Sequence, residues 1–513
     1  MMTRYPIGIQ DFASLREGGF LYIDKTRQIY ELAQSGSYFF LSRPRRFGKS
    51  LLLSTLKYFF QGRKELFEGL WIDGADYDWE AHPVVHISFS SIGYKDIGLE
   101  KALLRSIDRA GEKNGLTLQE EGISGRFREL IQTLGSGSRK LVLLIDEYDK
   151  PLIDYIEDIT QAEAHRAILK NFFSVIKDCD PYIRFFLITG VSKFSKVSLF
   201  SDLNHLEDLT INPLSETLTG YTQAEVEAYF ADEITALQAE LSKNREETLA
   251  EIRYWYNGYR WWGKETLYNP FSMLNLVKSK RFANYWWETG TPTFLLKLMA
   301  RETFYQLEHT EIDELAFSSY DIERIRALPI LFQTGYLTIK DRTDLGLYIL
   351  DYPNKEVRDA MYGYLIGDLR HVEPSFSATL VAHMRKAFYA NDMERLMDLF
   401  RELFARIPYE IFISNQEAYY QSLLYLTFQF LGSYTVETEV QTNRGRIDAV
   451  VHTPTDIYVI EFKLDEPAAA ALVQIRERKY YEKYLSQGKT IRLLGISFSS
   501  KEKSVAEWVE ELL

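Results

Sequence analysis

Four short apolar runs, spaced by amphipathic stretches, constrain the first two hundred residues more than any other feature. They are Tyr38–Ser42, Val84–Ser88, Lys140–Ile145 and Arg184–Thr189. Stretches of helical period lie around Leu51–Phe60, Leu99–Asn114 and Gly125–Thr133. A short apolar run fits a strand buried on both faces. Strands alternating with helices call for a parallel sheet covered on each side. The expectation is an α/β first half.

The first strand runs into Arg43-Pro44-Arg45-Arg46-Phe47-Gly48-Lys49-Ser50 and then into the helical stretch Leu51–Phe60. This is a phosphate-loop pattern, G-x-x-x-x-G-K-[ST], with Arg43 in place of the first glycine. A strand, a tight loop and a helix N-terminus form a cradle for polyphosphate. Backbone amides of Phe47, Gly48 and Lys49 would do the cradling. Lys49 offers a point charge to the β- and γ-phosphates, and the Ser50 hydroxyl a ligand to Mg²⁺. Arg45 and Arg46 either add charge at a phosphate or pair with carboxylates; the sequence favours neither. A second strand ends in Asp146-Glu147, about a hundred residues on, where a carboxylate holds the metal's outer shell (Asp146) and its neighbour polarises the attacking water (Glu147). Thr189, ending a third strand, either senses the γ-phosphate or satisfies local backbone.

Composition sets the remaining bounds. At 513 residues the chain is long enough for several domains. A net charge of −13 argues against a protein that coats DNA by bulk charge, although no Asp or Glu interrupts the stretch Arg43–Lys64. Cys179 is the single cysteine, which points to a reducing compartment, and the first residues lack the apolar core of a secretory signal. Apolar runs are of strand length rather than membrane length. The expected location is the cytoplasm.

Beyond residue 215 the character changes. Gln223–Lys243 has the period of a single helix, followed by the aromatic cluster Trp255, Tyr256, Tyr259, Trp261 and Trp262. Those rings invite base stacking, but Asn257-Gly258 is a turn signal, and rings around a turn more often clamp it to a core. Residues 291–374 mix helices with apolar runs that fit a hairpin. The stretch 375–405 is helical. From Glu417 onward the order is helix, three strands, helix, strand.

A second site is readable there. Ile457–Leu464 is a strand with Glu461 and Lys463 on one face, because residues two apart share a face. Asp448 sits on the preceding strand, with the turn at Thr453-Pro454-Thr455-Asp456 between them. An antiparallel return brings Asp448 beside Glu461. Two carboxylates and a backbone carbonyl suit Mg²⁺, with Lys463 to orient or deprotonate water for phosphodiester hydrolysis. Glu417, on the expected helix 416–426, would complete the metal shell. Gln474 and Arg478, four apart on the next helix, share a face and could hold a water, a carboxylate or a phosphate, which places Gln474 in the catalytic set. The order resembles the PD-(D/E)XK nucleases, with Asp448, Glu461 and Lys463 as D, E and K; Ile447-Asp448 stands where that pattern has Pro-Asp.

The longer pattern is also familiar. Tyr22-Ile23-Asp24-Lys25-Thr26, the loop at 43–50, Asp146-Glu147-Tyr148-Asp149-Lys150-Pro151, Tyr256-Asn257-Gly258-Tyr259, Tyr268-Asn269-Pro270-Phe271-Ser272 and Trp287-Glu288-Thr289-Gly290-Thr291 resemble the bacterial AAA-ATPase-like family fused to a C-terminal PD-(D/E)XK domain. Arg43 then belongs to that family's own form of the loop. The resemblance implies a multidomain α/β protein: a P-loop NTPase core at 1–215, a helical lid at 216–290, a winged-helix-like region at 291–374 and a nuclease-like domain at 375–513. It implies ATP and Mg²⁺ as cofactors and DNA, with RNA second, as partner. It suggests a place in genome defence or mobile-element biology. The rival is an ATP-dependent switch whose nuclease-like domain binds without cutting. A homo-oligomer is compatible with such ATPases, but no residue stands out as an arginine finger.

Overall fold

A computed structural model describes residues 3–193, 205–286, 307–317, 327–370, 374–405, 427, 435–442 and 445–513. The chain divides into two compact units, one formed by residues 1–302 and 307–357, the other by 303–306 and 358–513.

The first unit is built on a five-stranded sheet with the spatial order β2-β3-β4-β1-β5. Its strands are β1 (Tyr38–Ser42), β2 (Val84–Ser88), β3 (Leu141–Asp146), β4 (Ile183–Gly190) and β5 (Glu207–Asp208). All pairings are parallel. Every residue of β1 and β3 is buried, as expected of strands covered on both faces. Because β4 lies between β1 and β3, three strand ends meet at one rim. Ser42 is opposite Gly190, Leu41 opposite Thr189, and Ile145 opposite Ile188. Ligands of open α/β sheets bind outside such carboxyl ends.

Three helices early in the chain, α1 (Phe12–Glu17), α2 (Thr26–Ser35) and α3 (Lys49–Phe60), share a core with the sheet through Phe12, Leu32, Leu53, Phe59, Phe39 and Leu187. Later come α4 (Leu99–Lys113), α5 (Gly122–Gly135) and α6 (Ile159–Phe173). Strand and helix positions match the sequence expectation to within three residues at each end.

The stretch expected as one helix, Gln223–Lys243, is two: α7 (Gln223–Tyr229) and α8 (Ala231–Leu241). Phe230 breaks it, leaving helical geometry at φ −121° while its ring is fully buried. Burial of that ring outweighs the helical period. Capping boxes start α7 at Thr222/Glu225 and α9 (Arg245–Tyr256) at Asn244/Glu247. Asn269 caps α10 (Pro270–Ser279), with proline in the first turn. These helices close a second core around Phe230, Ile252, Tyr256, Tyr268 and Met273. Farther on, α11 (Ala327–Thr334) leads into an antiparallel sheet of order β6-β8-β7, from Thr310–Ile312, Tyr348–Asp351 and Thr338–Arg342. Helix α12 (Lys355–Arg370) follows.

The second unit carries α13 (Pro374–Tyr389), α14 (Met393–Ala405) and a mixed sheet of order β13-β12-β11-β10-β9. Its strands are β9 (Thr435–Thr442), β10 (Gly445–His452), β11 (Asp456–Leu464), β12 (Thr490–Ser499) and β13 (Ser504–Leu512). Only β11 and β12 run parallel, and α15 (Ala468–Glu477) provides the crossover that a parallel pair needs. Strand β13 is not expected from the sequence; its acids Glu507, Glu510 and Glu511 suit an exposed edge. The helix expected at 416–426, Glu417 included, and the segment Trp287–Thr291 lie outside the described residues. Among the described residues, no helix is long and apolar enough to cross a membrane.

Candidate active sites

At the shared rim of β1, β4 and β3, Asp146 ends its strand buried. One carboxylate oxygen accepts from Ser50 Oγ at 2.7 Å and the other from Thr189 Oγ1 at 2.7 Å. Three expected residues from three segments therefore meet on one carboxylate. Gly48 leads into α3 in the left-handed region, φ 92°, which favours glycine. Lys49 is buried, and its ammonium donates to the carbonyls of Arg43 and Pro44, both at 2.9 Å. Burial pulls the Lys49 pKa below its ordinary value against the opposing charges of Asp146, Glu147 and Asp149. Glu147 is half-buried and also left-handed, φ 54°, an uncommon conformation for a residue with a side chain. Burial, and then the Asp146 charge, push its carboxyl above the usual range.

The loop's shape follows from contacts that its own sequence does not announce. Arg43 is fully inside. One of its terminal nitrogens donates to the Ser42 and Thr210 carbonyls at 2.9 Å. The other donates to Ser215 O at 3.0 Å and Oγ at 2.9 Å. Its guanidinium lies 4.4 Å from the centre of the Trp261 ring, a cation–π distance. Burial pulls its pKa below the arginine norm, with Asp208 opposing. Phe47 is buried edge-on against Tyr259 and Trp261, ring centres 5.0 Å apart in each case. Gly335 abuts the Pro44 ring, and Trp286 Nε1 donates to the Arg45 carbonyl at 3.1 Å. Two rings of the aromatic cluster, Tyr259 and Trp261, thus clamp the loop, while Tyr256 is buried in the helical core and Trp262 is exposed.

Arg45 and Arg46 line a cleft of about 400 Å³ together with Gly48, Lys49, Ser50 and Glu147. Arg46 also lies 5.2 Å over the Phe271 ring. Pro6, Ile7, Ile9, Tyr221, Phe271 and Leu274 give the cleft an apolar part of its lining, a surface on which a flat ring can lie. Sequence reasoning missed this surface, because its residues come from three separated segments with no shared motif. It also gave no role to Asp149, which is buried and accepts from the Val191 amide, the Ser192 amide and the Ser192 hydroxyl at 2.9, 2.7 and 2.8 Å. Burial raises its pKa even so. Asp149 fixes the turn after β4 and with it Thr189. The recurrence of an acid three places after Asp146 was the available signal.

In the second unit, Ala449 faces Ile460 and Val450 faces Val459. The same antiparallel register puts Asp448 across from Glu461. Asp448 Oδ2 accepts from the Phe462 amide at 2.8 Å. Glu461 is buried. Gln474, on α15, joins the pair to the lysine: its amide nitrogen donates to Glu461 Oε1 and its oxygen accepts from Lys463 Nζ at 2.6 Å. Gly495 stands opposite Glu461 on β12. The Ala468 carbonyl lies where a Cβ at Gly495 would go, so this glycine lets α15 sit against the sheet and carry Gln474 to the carboxylate. The four described members of the expected set therefore meet. Arg478 is exposed at the end of α15.

Both sites present hard oxygen donors. A hydroxyl and a carboxylate within 2.7 Å at Ser50 and Asp146, and two facing carboxylates at Asp448 and Glu461, fit a divalent cation such as Mg²⁺. Among the described residues no group of three or more His, Cys, Asp or Glu side chains gathers as a metal cage.

Comparison with known proteins agrees with the geometry. The model of a predicted AAA-ATPase family matches residues 6–200, and that of the PD-(D/E)XK nuclease superfamily matches residues 415–508. The chain is 40% identical over 529 residues to an uncharacterized protein in the vnfD 5′ region of Azotobacter chroococcum mcd 1, covering 99% of each chain. No solved structure matches it. The chain belongs to the AAA-ATPase-like proteins that carry a C-terminal PD-(D/E)XK nuclease-superfamily domain.

Proposed function

We propose that the first unit binds and hydrolyses ATP and that the second hydrolyses phosphodiester bonds in DNA, with RNA as the second choice of substrate. One observation carries the first half: Asp146 receives both Thr189 and Ser50, the residue that follows Gly48 and Lys49 at the start of α3. On ATP binding, Lys49 exchanges the Arg43 and Pro44 carbonyls for phosphate oxygens. The Phe47–Lys49 amides hold the phosphates, and Arg45 and Arg46 supply further charge from the cleft wall. Glu147 accepts the proton of the water that attacks the γ-phosphorus as ADP leaves. Thr189, fixed to Asp146, reports whether the γ-phosphate is present. The adenine lies on the apolar wall of Ile7, Ile9 and Phe271.

In the second unit Asp448 and Glu461 would hold the metal, with Glu417 as the expected third acid, and Gln474 aligns Glu461 with Lys463. Lys463 orients the attacking water and offsets charge on the scissile phosphate. A bound divalent cation at either site supplies charge neutralisation on phosphate oxygens and a more acidic water.

We further propose that the helices at 216–290 act as a lid and residues 291–374 as a winged-helix-like module, so that ATP gates the nuclease site. ATP turnover and plasmid cleavage with Mg²⁺ test this in wild type, Lys49→Ala and Glu461→Gln. Lys49→Ala should lose turnover, Glu461→Gln should lose cleavage, and ATP should change cleavage in wild type alone. Absence of turnover in wild type overturns the ATPase reading; equal cleavage by wild type and Lys49→Ala, with and without ATP, overturns the coupling. A switch that binds without cutting draws on the fact that only two acids meet among the described residues at the second site. It predicts no cleavage of any DNA or RNA by wild type.

A further inference from the structure

A second pocket opens on the first unit, away from the phosphate loop. It is a groove of about 450 Å³ floored by β2, the edge strand of the sheet, through Val85 and His86. One wall is α3, which contributes Lys57; the other is α4, which contributes Arg105, Arg109 and Lys113. Among the described residues no Asp or Glu lines it. In a chain of net charge −13, a groove with cations on both walls and no acid is unexpected.

The cations of α4 are arranged at a cost. Arg105, Arg109 and Lys113 recur every four residues, so each stands directly above the last, about 6 Å apart along the axis. Like charges at this spacing destabilise a helix. None of the three makes an ion pair or side-chain hydrogen bond among the described residues, although the helix also holds Glu100, Asp108 and Glu112, of which Asp108 is paired with Arg126 at 3.0 Å. Lys57, across the groove, touches Tyr58, whose ring centre is 4.4 Å from the ammonium. Burial pulls the Lys57 pKa down, against the pull of Asp11, and Lys113 adds to the fall. A regularly spaced cationic row facing another cation across a groove is complementary to a regularly spaced row of anions.

We propose that this groove binds the phosphate backbone of a nucleic-acid strand, with Arg105, Arg109 and Lys113 contacting successive phosphates and Lys57 closing the other side. The choice of occupant rests on the reading of the second unit as acting on nucleic acid; the cationic groove itself does not. The contacts are to backbone charge, so they position a strand without reading its sequence. Helix α3 starts at Lys49 and Ser50 and reaches Lys57 two turns later, so one rigid element joins the groove to the phosphate loop.

The test is fluorescence anisotropy of a labelled 30-nucleotide DNA strand with the full-length protein in EDTA, which prevents cleavage. Arg109→Glu turns the like-charged row into an alternating one, so its melting temperature should hold or rise while its Kd for DNA rises at least tenfold. Arg105→Glu/Lys113→Glu should do the same, and the slope of log Kd against log salt should fall by about one for each phosphate contact removed. Lys170→Glu/Lys177→Glu, exposed on the same unit, should leave Kd within twofold. Equal losses in the control pair, unchanged affinity in the groove variants, or no binding by wild type overturns the groove. The nuclease reading stands or falls separately, on cleavage by wild type and Glu461→Gln with Mg²⁺. Loss of binding in the groove variants beside a wild type that never cuts supports the groove and refutes the nuclease.

Discussion

Lys463 Nζ donates to Gln474 Oε1 across 2.6 Å, from the central strand of the second sheet to the helix that crosses over it. The same amide holds Glu461 through its nitrogen, so the lysine and the buried carboxylate are oriented by one neutral group. Gln474→Ala would leave a buried carboxylate without that donor. Partners that orient metal ligands are typically worth about 10–100-fold in activity. Metal-dependent plasmid nicking should fall by that factor in Gln474→Ala, with ATP turnover unchanged. Full nicking would remove Gln474 from the site.

Glu147 gives the first unit a pH signature. Burial and Asp146 raise its folded pKa, so its basic form appears at higher pH than for an ordinary carboxylate. The acid limb of ATP turnover should lie above the usual glutamate range. Folding takes up a proton at this group, so its contribution to stability is complete below the unfolded pKa and is lost as pH rises through the folded one. Glu147→Gln should keep ATP affinity, lose turnover by about a hundredfold or more, and flatten that loss of stability. A variant with wild-type turnover and the same acid limb would refute the assignment.

Arg43→Gly recreates the common form of the loop and should harm the protein. It leaves the Thr210 and Ser215 carbonyls buried without the donors they now have. Hydrogen bonds from a charged group contribute about 1.5–3 kcal/mol each, so the loss should exceed about 3 kcal/mol. Chemical denaturation reads this directly. An Arg43→Gly protein as stable as wild type, with equal ATP affinity, would show that the Arg43 side chain does not hold the loop.

Gly495→Ala places a methyl group against the Ala468 carbonyl. The backbone must shift, at about 1–3 kcal/mol, and α15 with it. Nicking should fall although no proposed ligand has changed, and ATP turnover should be preserved. Unaltered nicking would mean that the position of α15 does not govern the site.

These sites were legible in the sequence to different depths. Lys49, Ser50 and Asp146 could be read because each follows a buried strand, and strand ends bring polar residues to one rim. Asp448 and Glu461 followed from strand period and a turn of known place. What could not be read was long-range. Arg43 looks like a defect until Thr210 and Ser215 are seen beside it, and Gln474 could be named but not the glycine at 495 that admits its helix to Glu461. Phe230 split a helix of good period because its ring had a core to enter. The acids of β13 hid a strand by giving it an edge's exposure rather than a core's apolar alternation.

The buried guanidinium of Arg43 has a consequence for how such proteins diverge. Its hydrogen bonds end on the backbone of residues 210 and 215 and its face lies on Trp261, so the loop cannot drift alone. A chimera that imports a standard glycine-first loop would need the segment around Thr210–Ser215 and the Tyr259–Trp261 rings from the same donor. Loop, turn and rings should therefore change together, so that a homologue with glycine in place of Arg43 differs at all three.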